Sequence, residues 1–100
     1  MTYMHGERSK AAIIQAGLAL WRENGPSAVT ARGIGKKVNL SHAGVIYHFG
    51  GVGPLLDAVK REAIASGDRQ IIPQLIVASD PLVADWSPEL RQAWLSAAAG

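Results

Sequence analysis

A chain of 100 residues, 48% of them hydrophobic, has the material for one modest core. It contains no cysteine, which excludes a disulfide framework and thiolate chemistry, and neither an apolar core in its start, MTYMHGERSK, nor a later run of about 18 apolar residues announces a signal peptide or a spanning helix. The net charge of +2 is divided unevenly: residues 1 to 50 carry six Lys/Arg against two Asp/Glu, giving +4, and residues 51 to 100 carry four against six, giving −2, so a polyanionic partner would meet the front half.

In chain order, Ala11, Ile14, Leu18 and Trp21 repeat at spacings of three and four and predict a first helix from about Glu7 to Asn24. Asn24-Gly25-Pro26 ends it, with glycine past the last turn and proline after it. Thr30 is placed to cap the amides of Ala31 to Gly33 at the start of a second helix, in which Ile34 and Val38 face one core and leave Arg32, Lys36 and Lys37 outside. Asn39 falls where the chain must turn sharply, and asparagine tolerates a left-handed backbone. Ser41 caps a third helix, with Leu40, Val45 and Phe49 expected inside and His42, Ala43, Gly44, Tyr47 and His48 outside. Gly35 is read as the point where two helices approach closely. Gly50 to Gly53 form a loop, and Pro54 fits the first position of a fourth helix through Leu55, Leu56, Val59 and Ala63 to near Ser66.

Beyond Gly67 the signals are weaker. Pro73 interrupts the apolar run from Ile71 to Val77 and should kink or start a helix there. Asp80-Pro81 and Ser87-Pro88 each read as a cap followed by a first-turn proline, predicting a short helix after Asp80 and a final one from Pro88 to about Ala99. If that last segment is nearly continuous, Leu82, Trp86, Leu90 and Trp94 form one apolar stripe. Every predicted element is helical.

Two short helices joined by a tight turn, with cations on one side, are the layout of a helix-turn-helix that reads DNA. Here the chain resembles a known family. The first helix from Ser9, the pattern at Thr30, Arg32, Ile34 and Gly35, the turn at Leu40 and Ser41, and the run Tyr47 to Gly50 are together similar to the N-terminal DNA-binding domain of TetR-type transcriptional repressors. The resemblance covers about half of the chain, from Ser9 to about Val59. It implies an all-α fold: a three-helix head over residues 1–53, then residues 54–100 as a connecting helix and the beginning of a helical ligand-binding and dimerisation domain. About 35 residues follow the fourth helix, too few for that domain, which is therefore expected to be incomplete.

The resemblance also implies the partners. They are double-stranded DNA carrying a palindromic operator, a second copy of the chain in the intact protein, and a small-molecule inducer of unknown identity; without a signal peptide or spanning run, no membrane and a cytoplasmic location are the expectation. It places Thr30, Tyr47 and His48 among phosphate-contacting positions, and Arg32, His42, Ala43 and Gly44 near base edges. Arg32 is the candidate for a bidentate guanine contact, and Lys36 and Lys37 could add attraction to the backbone. Ile46 stands where the family often has tyrosine, and Val52 where a lysine is common, so one phosphate clamp is expected to be missing.

Other chemistries fit less well. His42 and His48 are six apart, a poor spacing for shared metal ligation on a helix, so no metal site or cofactor is expected. Gly33-Ile34-Gly35-Lys36 falls short of a phosphate-cradling loop, since Thr30 occupies the first glycine position and Lys37 replaces the hydroxyl. No catalytic elbow, zinc-protease helix or carboxylate pair is visible, and an enzyme is not expected. The competing function is a helical protein-interaction module that uses the tryptophan stripe; a small-molecule binder with its pocket between the fourth helix and the tail is a further alternative.

Overall fold

The computed structural model describes the backbone of residues 2–99 and the side-chain surroundings of residues 8–98. The described residues form six α-helices and two short 3-10 turns, with no strand among them: α1 (Thr2–Asn24), α2 (Ala31–Val38), α3 (His42–Tyr47), α4 (Val52–Ala65), α5 (Ile71–Val77) and α6 (Pro88–Ala99). The chain divides into two compact units, the first ending at Val59 and the second beginning at Lys60. The expected all-α class is the observed one.

In the first unit, α1 starts at Thr2, earlier than the expected Glu7. No proline or strong cap interrupts the segment before Glu7, and its one glycine costs only about 1 kcal/mol. The buried face of α1 also differs from the expected stripe: Ile13, Ala16, Leu18 and Trp21 are buried, while Ala11 is exposed and Ile14 half-buried. Gly17 explains the shift. A Cβ on Gly17 would lie 2.7 Å from Cγ2 of Val59, so the glycine lets α1 approach Val59 of α4 closely and turns the face centred on it inward. The helix ends as expected at Asn24, with Gly25 at φ 92° donating its amide to the Trp21 carbonyl at 2.8 Å. The 3-10 turn Pro26–Ala28 that follows had no separate signal in the periodicity.

Helix α4 begins at Val52, two residues before the expected Pro54. Pro54 sits in the first turn, where amides have no intrahelical acceptor and a missing N–H does no harm. Its buried residues include Leu55, Val59 and Ala63, as the spacing predicted. Gly67, at φ 66°, closes the end of α4 while the Asp68 amide reaches back to the Ala63 carbonyl at 2.9 Å.

In the second unit, the Asp68 carboxylate accepts the amides of Gln70 and Ile71 at 2.9 and 2.8 Å and so starts α5. Pro73 lies within the first turn of α5 and is buried, so it does not kink the helix. Asp80 accepts the Leu82 amide at 3.0 Å and opens the 3-10 turn Pro81–Val83, and Ser87 accepts the Leu90 amide at 3.1 Å and opens α6. The stripe of Leu82, Trp86, Leu90 and Trp94 is not continuous, because the chain turns between Val83 and Pro88. Leu90 is 43% exposed and the other three are half-buried. One buried carboxylate anchors this unit: Asp80, 8% exposed, is 2.7 Å from the Lys60 ammonium.

Candidate nucleic-acid interface

The site begins with two hydroxyl caps. Thr30, in extended conformation, accepts the Gly33 amide at 3.0 Å through Oγ1, and Ser41, also extended, accepts the Gly44 amide at 3.0 Å through Oγ. Each satisfies an amide that would otherwise be orphaned at a helix start. Both acceptor positions close back on a glycine, and a Cβ there would crowd the cap oxygen, at 3.1 Å for Gly33 and 3.2 Å for Gly44. Thr30→Ala is expected to cost about 1 kcal/mol and to lower the melting temperature by about 4–8 °C, measured by circular dichroism. An unchanged melting temperature would show that the cap contributes nothing.

Between the helices, Asn39 adopts φ 58° and ψ 47°, the left-handed conformation expected of it. The Leu40 amide donates to the Gly35 carbonyl at 2.9 Å and draws the turn tight against α2. Gly35 permits a close approach, as expected, but of the turn's own backbone: a Cβ would lie 2.5 Å from the Leu40 carbonyl oxygen. Ile34 and Val45 are fully buried and hold α2 and α3 to the core of the unit.

Two expectations for α3 are corrected. Leu40 is 38% exposed instead of internal, and Phe49 lies in the turn beyond α3, half-buried, instead of in its last turn. The helix stops at Tyr47 because the Phe49 and Gly50 amides both converge on the Ile46 carbonyl, and Gly50 then takes φ 78°.

Thr30, Arg32, Lys36, Lys37, Ser41, His42 and Ala43 are exposed, and Gly44 and His48 are half-buried. Tyr47 is 83% exposed, so it is neither buried nor half-buried; its ring forms a T-shaped pair with that of His48, with centroids 5.8 Å apart at 74°. From Val29 to Gly50 the chain carries three cations and no carboxylate. Lys37 is nevertheless engaged, 3.3 Å from the Glu23 carboxylate at the end of α1, whereas no ion pair holds Arg32 or Lys36 among the described residues. The pairing of Lys37 joins residues fourteen apart in sequence and had no local signal. The result is an exposed, cationic surface on two capped helices that carry no carboxylate of their own. Among the described residues no group of three potential metal ligands occurs, and no helix is long and apolar enough to cross a membrane.

Comparison with known proteins agrees with this geometry. Residues 13–59 match the family described as bacterial regulatory proteins, tetR family. Neither a curated protein nor a solved structure matches the chain. The matched segment starts at Ile13, a buried residue of α1, takes in both capped helices and ends at Val59, the residue against which Gly17 packs. Residues 13–59, just under half of the chain, therefore form a helix-turn-helix DNA-binding domain of the TetR type.

Proposed function

We propose that the intact protein is a ligand-responsive repressor that binds a palindromic operator as a homodimer, with α3 of each head in a major groove, and releases it when a small molecule changes the spacing of the two heads. The observation that carries this reading is the carboxylate-free surface of α2 and α3 within the family's DNA-binding segment. Arg32, His42, Ala43 and Gly44 lie near base edges in this reading, and Thr30, Tyr47 and His48 meet phosphates. Ser41 fixes the start of α3, Lys36 adds attraction to the backbone, and Lys37 does so only by leaving Glu23. Residues 1–53 act as the reading head. Residues 54–100 act as the connecting helix and the start of a ligand-binding and dimerisation domain, a role supported by apolar side chains at the surface such as Val77, 77% exposed, and Leu90.

The test is a fluorescence-anisotropy titration of a labelled mixed-sequence duplex at two salt concentrations, with Arg32→Ala/Tyr47→Ala in parallel. A single head with roughly 3–5 phosphate contacts should bind weakly and lose affinity steeply as salt rises, with a slope of about −0.9 per contact. The double substitution should abolish that binding. No binding even at low salt would move the reading to a helical interaction module, for which Trp94→Ala should abolish association with its protein partner.

A further inference from the structure

Ala43 and Tyr47 are four residues apart within α3 and so share one face, one turn apart. Ala43 is exposed, and the Tyr47 ring beyond it stands out into solvent with 83% of its surface free. Next to Ala43, Gly44 has no side chain, and the Ser41 hydroxyl oxygen is already occupied as the acceptor of the Gly44 amide. The first turn of α3 thus offers a small exposed apolar step, the Ala43 methyl, with the Tyr47 ring one turn further along the same face. Among the groups on the floor of the major groove, the one that matches an apolar step is the 5-methyl group of a pyrimidine; the remaining base edges there are hydrogen-bond donors and acceptors.

Resting on the DNA-binding reading above, we infer that the Ala43 methyl reads a pyrimidine 5-methyl group in each operator half-site, beside the Tyr47 ring, whose hydroxyl keeps its phosphate contact. Thymine supplies that methyl in unmodified DNA, and 5-methylcytosine would present it in the same position. His42, next to Ala43 in α3, and Arg32 on α2 then read the neighbouring base pairs. An operator chosen by this surface has a fixed methyl-bearing pyrimidine beside positions chosen by hydrogen bonds. A sequence in which that methyl is missing binds through the same phosphates but less tightly.

The experiment is a selection of bound duplexes from a randomised library, followed by affinity measurements on the recovered duplex with deoxyuridine replacing thymine at one position at a time. The expected result is a loss of about four-fold at one thymine per half-site, the value of a single buried methyl group, with little change at the others. At that position cytosine and 5-methylcytosine should differ by the same ratio; an effect with methylcytosine alone would make the methylated base the source. Ala43→Gly should bring the thymine-to-uracil ratio to unity. The ratio is measured with one protein on two duplexes, so it is unaffected by any loss of folded fraction in the variant. Recovered duplexes in which no thymine methyl matters, or a ratio that persists in Ala43→Gly, would overturn the inference while leaving DNA binding intact. Failure to recover any duplex, together with no salt-sensitive binding, would remove the DNA-binding reading itself.

Discussion

Gly35→Ala is expected to destabilise the DNA-binding head by about 3 kcal/mol or more and to lower its melting temperature by about 12 °C or more. The added Cβ would meet the Leu40 carbonyl oxygen at 2.5 Å, a backbone atom that no side-chain rotation can move. Withdrawing that carbonyl would pull the turn away from α2, and the turn is held by the hydrogen bond from Leu40 to Gly35 and by the left-handed Asn39. The Val45 side chain, 3.6 Å from the same point and fully buried, blocks relief in another direction. Alanine's better helix propensity returns only about 1 kcal/mol. Gly44→Ala is the informative contrast, because its Cβ meets mainly the Ser41 hydroxyl at 3.2 Å, and it should stay within about 0.5 kcal/mol of the parent chain. Thermal melts of the two variants decide the matter: a Gly35→Ala chain as stable as the parent would mean that the turn is not packed against α2 as described.

The second large effect belongs to the other unit. Asp80→Asn should cost on the order of 2 kcal/mol in urea unfolding near pH 7, somewhat less than a fully buried pair because the Lys60 side chain is 30% exposed. Burial pushes the Asp80 carboxyl up, but the hydrogen bond from Lys60, the Leu82 amide and the Lys60 charge together outweigh it and hold the group below the ordinary carboxylate value. The folded unit therefore binds this proton less readily than the unfolded chain. The stabilisation is complete above the unfolded value of about 4 and is lost as the pH falls through the lower folded value. Asp80→Asn should accordingly flatten the acid limb of the stability profile as well as lower its plateau. An urea midpoint equal to that of the parent near pH 7 would show that Lys60 and Asp80 contribute no net stability.

What was legible in the sequence was mostly local. Thr30, Asn39 and Ser41 declared two helix starts and a turn because caps and left-handed residues act within three or four positions of themselves. Ser87-Pro88 and Asp80-Pro81 were readable for the same reason. What failed depended on contacts distant in sequence. The buried face of α1 is set by Gly17 against Val59, and a glycine contributes nothing to an apolar stripe, so periodicity pointed to Ala11 and Ile14. Leu40 has the chemistry of a core residue, although the tight turn leaves it 38% exposed. Among the candidate contacts, the exposure of Tyr47 and the attachment of Lys37 to Glu23 both came from the packing of α1, α2 and α3, which spacing alone does not encode.

The distribution of the three tryptophans gives each half of the chain its own optical signal. Trp21, 4% exposed, is the sole indole of the first unit, and Trp86 and Trp94, both half-buried, belong to the second. A chain with phenylalanine at 86 and 94 emits from the head alone, and one with phenylalanine at 21 emits from the tail alone. Loss of packing at Gly35 and loss of the Asp80 ion pair therefore register in the emission of different variants, and whether the two halves melt together or in sequence becomes a question that a fluorimeter answers directly.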